Sequence, residues 1–376
     1  MRILQLSKFY PPAPGGIESF VRDLSHALVA EGHENTVLAH TFEPSEPHNI
    51  SGDMGRVIRV PSYGQIMYAP LAPAYPFHLH RLLKDFKPDV LLVHMPNVSG
   101  FWPLFMPLPC PLTVFWHADV IFPKSERLLN TAYKGYGFFE NRLLRKARRI
   151  IATSPPYLET SQNLRPFRDK CEVIPLGISP DRIPNVPKET VAAVKRAYFG
   201  NADAQYVFAA GRFAHYKGFD RLVKAAAAIR ESDPNLMFLI AGEGETRPAI
   251  RNMIRSEGMT NRVLCPGYVP DEEYWALMQG CEFFCLPSVE RTEAFGVVLL
   301  EAMSKGKPCL STAIPGSGTG WVNKNHETGL VVSPGDTKEL AQAISSMRQT
   351  VWNTDSIRQH AARFDISVAA QRIAIP

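Results

Sequence analysis

The sequence predicts an α/β protein of two doubly wound domains. Three observations carry this: the length, an alternation of short apolar strands with amphipathic helices, and a polar, proline-rich break near the middle. A single core rarely grows past about 250–300 residues, so 376 residues suit two domains better than one. The composition, 45% hydrophobic and 20% charged, describes a folded chain and excludes a disordered one.

The first run opens with strand "RILQLS", loop "KFYPPAPGG", helix "IESFVRDLSHALVAEGH" and strand "TVLAH". Ile17, Phe20, Val21, Leu24, Ala27 and Leu28 follow the helical period, and Gly32 stops the helix. Strands "VIRVPS", "DVLLVHM", "PLTVFWH" and "RIIATS" follow, while many of the 32 prolines fall between Pro61 and Pro123 and imply irregular loops. A second run begins near Gln205 with "YVFAAG", "LMFLIAG", "VLCPG", "EFFCLP", "PCLST" and "GLVVS", helices lying between. The break "LGISPDRIPNVPKET" places a hinge near 178–188 and domains at 1–180 and 181–352. Such sheets bind ligands beyond the carboxyl ends of their strands, so two facing domains would enclose a cleft.

Several function classes drop out. No stretch approaches the roughly 18 apolar residues that span a bilayer, and the N-terminal apolar patch is too short for a secretory signal. A cytoplasmic protein is expected. The six cysteines form no C-x-x-C pair and have no nearby His to suggest zinc, and Cys281 and Cys285, on one face of a strand, read as small buried hydrophobes. The first loop lacks G-x-G-x-x-G and the second strand ends "AH" without an acid, which argues against a nicotinamide site.

Three loops keep chemical promise. Gly15 and Gly16 precede a helix, where backbone N–H groups can meet an anion; a plain flexible turn explains them equally well. In "GRFAHYKGFD", Arg212 and Lys217 put two cations on one loop, a clamp for a diphosphate if the loop is more than a solvated surface turn. In "ERTEAFGVVLLEAM", a helix starting near Gly296 or Val297 would offer the N–H groups of Phe295 to Val298 as a second anion cradle. Glu293 before that start and Glu301 inside the helix would flank the anion and accept bonds from sugar hydroxyls.

The motifs together resemble the retaining glycosyltransferases of GT-B fold, family four. "EAFGVVLLE" is similar to that family's E-x7-E signature, "GRFAHYKG" to its G-R-x-x-x-x-K-G element, "PGGIE" to its N-terminal glycine loop and "VFWHAD" to its T-x-H-D element. The resemblance runs from Met1 to about Phe364 and implies two Rossmann-like domains. It implies that Gly211, Arg212 and Lys217 hold the donor diphosphate, with Ala294, Phe295, Gly296 and Val297 closing on the phosphates. Glu301 would take the ribose, Glu293 the transferred sugar, and Val269 of "PGYV" would line the base pocket. Gly15, Gly16 and His117 would act from the N-terminal domain, and a last helix within 353–376 would cross back to it. Where many members have G-G-x-P-E, this chain reads "IPGSGTGWVN"; with "HMPN", that resembles the bacterial O-antigen and polysaccharide branch using mannose-like donors.

No cofactor or metal is expected beyond a GDP- or UDP-linked sugar, since two cations and a helix start would carry the leaving charge. The formal charge is only +5, but six basic residues face one acid between Lys134 and Arg149. Arg142, Arg145, Lys146, Arg148 and Arg149 around an apolar helical stripe suit an anionic membrane surface and a polyprenyl-diphosphate-linked acceptor; a core helix with a solvated basic face fits equally. Aromatic residues do not interleave with the charge, so nucleic acid is discounted. The competing functions are a nucleotide-sugar 2-epimerase and a non-catalytic, membrane-associated scaffold of the same fold.

Overall fold

The computed structural model describes residues 1–66, 69–120 and 127–375, with the backbone alone for 127–132. Two compact units emerge: Met1–Ser179 together with Asp365–Pro376, and Pro180–Phe364.

The first unit opens with β1 (Arg2–Leu6), α1 (Gly16–Ala30) and β2 (Glu34–His40). Then come β3 (Asn49–Gly52), β4 (Gly55–Val60), the small β5 (Gln65–Ile66) and β6 (Ala69–Pro70), and α2 (Tyr75–Asp85). It continues through β7 (Val90–Met95), β8 (Leu112–Trp116), α3 (Arg127–Lys146), β9 (Arg149–Ala152), α4 (Pro155–Thr160) and β10 (Cys171–Val173). The main sheet has the order β10-β9-β8-β7-β1-β2-β4-β3, parallel except for the edge strand β3. β7 is buried at every position, as a strand covered on both faces must be, which is why all of it but His94 is apolar.

The second unit runs α5 (Lys188–Phe199), β11 (Tyr206–Ala210), α6 (Phe219–Ala228), β12 (Met237–Ala241), α7 (Arg247–Ser256) and β13 (Val263–Gly267). Its other half is α8 (Asp271–Gly280), β14 (Phe283–Leu286), α9 (Val297–Ser304), β15 (Cys309–Thr312), α10 (Thr319–Val322), β16 (Gly329–Val332), α11 (Thr337–Gln349) and α12 (Thr354–Ala362). The order β13-β12-β11-β14-β15-β16 is all parallel and reverses direction between β11 and β14. A crevice at such a reversal is where doubly wound sheets take ligands.

The chain's end differs from the sequence expectation. Residues 353–364 stay with the second unit: α12 packs on α9, His360 Nε2 bonds the Val322 carbonyl at 2.9 Å, and Phe364 meets Trp321 edge to face at 5.4 Å. Only Asp365 onward joins the first unit, where α13 (Ile366–Ile373) lies against α1. Arg149 secures that tail, donating to the carbonyls of Arg372 at 2.6 Å and Ile375 at 3.0 Å.

α3 buries an acid that has no counter-charge among the described residues. Glu140 accepts from Asn163 Nδ2 at 2.9 Å and from the Tyr133 hydroxyl at 3.2 Å, and burial pushes its pKa up from 4.5 to about 8. A folded-state pKa above the unfolded one means that the neutral acid favours folding. Its contribution is complete below about pH 4.5 and is lost as pH rises through about 8. Glu140→Gln should therefore match the parent at pH 5 and exceed its stability by roughly 1–3 kcal/mol at pH 9, read by denaturant titration at both pH values.

Candidate functional site

The two loops nominated from sequence leave the two strands that flank the reversal. After β11, Gly211 to Lys217 turns into α6; after β14, Pro287 to Gly296 turns into α9. The loops interlock, with the Val289 N–H on the Tyr216 carbonyl at 2.8 Å. Gly218 makes this closeness possible. It adopts φ +65°, and a Cβ there would stand 2.1 Å from the Pro287 carbonyl oxygen. Gly296, at φ +83°, ends the second loop as the left-handed residue before α9.

Inside this junction Lys217 Nζ lies 2.5 Å from Glu293 Oε2, each residue only 9% exposed. Ser288 Oγ donates to the same carboxylate oxygen at 3.1 Å. From the "IPGSGTG" loop, Ser317 donates to the Glu293 carbonyl and the Gly318 N–H to the Ala294 carbonyl at 2.7 Å. Burial works to lower the Lys217 pKa, but Glu293 and Tyr216 more than offset it, so the ammonium is held above its ordinary value. Arg212 is different: its side chain is 61% exposed and sits a loose 3.7 Å from Glu245. Ala294 and Phe295 turn their side chains inward, Phe295 against Phe364 at 6.1 Å, and so offer the site only backbone. Val269 is buried beside an exposed Tyr268.

The expectation of two open carboxylates needs correction. Glu293 is engaged by Lys217, and Glu301 by Arg182 at 2.8 Å and the Tyr274 hydroxyl at 2.6 Å. The reason is electrostatic: a carboxylate withdrawn from water must be paired or protonated. Ser288, Tyr274 and Arg182 were not nominated from sequence; Arg182 lies in the stretch read as linker. Among the described residues no group of three or more His, Cys, Asp or Glu is arranged to hold a metal ion.

In the first unit, His117 follows β8 and is buried, its Nε2 2.9 Å from His94 Nδ1. At the glycine loop, the Glu18 carboxylate folds back so closely that a Cβ on Gly15 would lie 2.0 Å from it. Burial pushes the Glu18 pKa up to about 7. The place where sequence expects an anion thus holds the chain's own acid.

Two family models match: Glycosyltransferase Family 4 over residues 14–182 and Glycosyl transferases group 1 over residues 193–350. The D-rhamnosyltransferase WbpZ of Pseudomonas aeruginosa is 30% identical over 354 residues, covering 92% of this chain and 86% of that protein. The chain is a family-four glycosyltransferase. The O-antigen chain mannosyltransferase C of Escherichia coli is 29% identical over 358 residues, covering 94% and 90% of the two chains. Sucrose-phosphate synthase from Thermosynechococcus elongatus shares the GT-B fold, with TM-score 0.80, 23% identity, and coverage of 99% and 97%.

The basic residues of this glycosyltransferase divide into two kinds. Arg149 opens β9 and is no part of α3, because the helix stops at Lys146; with Glu172 it clamps the C-terminal tail. Lys146 is spent on the Pro103 carbonyl at 2.7 Å. Arg142, Arg145 and Arg148 stay exposed. No helix among the described residues is long and apolar enough to cross a membrane.

The buried pair makes a sharp prediction for the glycosyltransferase. Lys217→Ala strands Glu293 without its cation and should cost roughly 3–5 kcal/mol in chemical denaturation. Lys217→Met combined with Glu293→Gln should recover most of that loss while restoring no activity. A double variant as unstable as the single one would refute the pairing as the source.

Proposed function

We propose that this glycosyltransferase is retaining and metal-independent, and moves a mannose-like hexose from a nucleotide sugar to a glycan or polyprenyl-diphosphate-linked sugar in polysaccharide or lipopolysaccharide assembly. The observation that carries the reading is the Lys217–Glu293 pair at the sheet's reversal, with α9 beginning beside it. A diphosphate laid there would meet the fixed ammonium, the first N–H groups of α9, and Arg212, which is exposed and loosely held. Glu293 receives Lys217 and Ser288 on Oε2, so Oε1 is the oxygen a hydroxyl of the transferred sugar would meet. Each Glu301 oxygen takes one bond from Tyr274 or Arg182 and keeps lone-pair capacity for ribose hydroxyls.

In this reading the C1–O bond to the leaving phosphate breaks as the acceptor oxygen bonds C1 on the same face. The acceptor proton passes to the departing phosphate oxygen. Lys217, Arg212 and the helix start stabilise the charge that grows on that phosphate, the role a metal ion fills in other transferases. The name of the Escherichia coli relative, an O-antigen chain mannosyltransferase, favours a mannose-like sugar, so GDP-mannose is the first donor to try and UDP-sugars the second.

The test is melting-point shift with GDP- and UDP-sugars, followed by labelled transfer in EDTA and NMR of the product anomer. A donor at 100 times its Kd should stabilise by about 2.7 kcal/mol, Arg212→Ala should abolish the shift, and the product should keep the donor's configuration. No shift with any donor would end the donor-site reading, loss of transfer in EDTA would end metal independence, and epimerised donor without transfer would favour the epimerase.

We also place this enzyme in the cytoplasm, at the inner face of the membrane. Arg142 lies 5.5 Å from the ring of Phe138, which is 58% exposed, and Trp102 and Phe105 are exposed on the segment that α3 packs against. Each arginine near an anionic surface contributes about 1 kcal/mol, and exposed rings suit the interface. Neutralising Arg142, Arg145 and Arg148 should reduce pelleting with anionic vesicles and leave the melting point unchanged, whereas Arg149→Ala should lower the melting point. Equal pelleting of parent and triple variant would remove the membrane surface.

A further inference from the structure

Gln5 and His94 are polar residues set within apolar strands, β1 and β7. With Asn35 in β2 and His117 just past β8, they stand on or just past four neighbouring strands of the first unit, and all four are buried. Their hydrogen bonds form one line across the sheet. His117 Nε2 meets His94 Nδ1 at 2.9 Å, His94 Nε2 meets Gln5 Oε1 at 2.9 Å, and Gln5 Nε2 donates to Asn35 Oδ1 at 2.7 Å. Asn35 Nδ2 then donates to the Met54 carbonyl at 3.0 Å. A branch runs from Gln5 Nε2 to Ser25 Oγ at 3.1 Å, whose hydroxyl donates to the Val21 carbonyl at 2.7 Å.

Both lines end on backbone carbonyls, which accept and cannot donate. That fixes every proton between. Asn35 turns its NH2 to Met54, so its oxygen faces Gln5; Ser25 gives its proton to Val21, so its lone pair faces Gln5 as well. Both therefore demand the NH2 of Gln5, which leaves Gln5 Oε1 to accept from His94. His94 carries its proton on Nε2 and offers the Nδ1 lone pair, and His117 must supply the proton to it from its own Nε2. Both rings are neutral: burial lowers the His94 pKa to about 3 and the His117 pKa well below its ordinary value, His94 adding to the latter.

His117 Nδ1 is thus a bare lone pair, buried and without a partner among the described residues. An unmet buried acceptor is destabilising and calls for an explanation. The ring is not at liberty to turn, since Phe115 stacks on it at 4.5 Å and Phe20 meets it edge-on at 5.5 Å.

We propose that Gln5, His94 and Asn35 are positioning residues that lock His117 as its Nε2–H tautomer, making Nδ1 a preset acceptor for a hydroxyl of the sugar substrate. The ligand in this statement rests on the transferase reading above; the tautomer does not. A histidine free to exchange tautomers would accept or donate. This one demands an O–H, and rejects a deoxy position, a carboxylate or a phosphate oxygen at the same place.

The full chain labelled with 15N-histidine, studied at pH 7 by long-range N–H correlation NMR, decides the tautomer. His117 should show an unprotonated Nδ1 and a protonated Nε2, and Gln5→Met should mix the two forms. A protonated Nδ1 in the parent, or an unaltered pattern in Gln5→Met, overturns the relay. With GDP-mannose present, the Nδ1 resonance should move as it accepts a hydrogen bond; a melting-point shift with no movement at Nδ1 overturns the substrate half alone. In transfer from GDP-mannose, Gln5→Met should lower kcat about tenfold with KM nearly constant, and Gln5→Glu, which still accepts from His94 Nε2–H, should recover part of it. Equal losses in Gln5→Met and Gln5→Glu would mark a merely structural role. If no nucleotide sugar binds, the donor-site reading falls while the tautomer measurement on the unliganded chain stands.

Discussion

An ammonium and a carboxylate held 2.5 Å apart, nine-tenths removed from water, is the contact around which the second unit's site is arranged. Such a pair is a poor source of stability, because desolvating two ions consumes most of what their attraction returns. Its value lies in keeping a full positive charge at a fixed point beside a helix start. The surroundings are built to that end. Gly218 lets the two loops touch, Ser288 takes up the carboxylate's further bonding capacity, and Ser317 and Gly318 pin the carbonyls of Glu293 and Ala294.

The first unit fixes its polar atoms by another means. Its sheet carries a neutral line of amides and imidazoles as well as the buried Arg59–Glu46 ion pair, and direction along the line is imposed by two carbonyl ends.

Much of this was readable beforehand, for physical reasons. Parallel strands covered on both faces are near-continuously apolar, so "DVLLVHM" and "YVFAAG" announced themselves. Loops that start helices are marked by glycine, which is how Lys217 and Glu293 were nominated. That these two bind each other was not readable. They are 76 positions apart, and their meeting depends on β11 lying beside β14, a neighbour relation that chain order conceals. Arg182 was hidden by sitting in a proline-rich stretch, and Glu18 by looking like an ordinary first-turn acid. Gln5 and His94 did leave a trace, each a polar residue inside an apolar strand, but a trace of that kind names no partner.

The capture of the last residues by Arg149 has a further implication for how the molecule comes into being. Residues 180–364 form one uninterrupted segment, whereas the other unit needs both Met1–Ser179 and, beyond that segment, Asp365–Pro376. A ribosome releases the opening portion long before α13 exists to lie against α1. The half that emerges first is thereby the half completed last, and any release of unfinished chains leaves it lacking a wall.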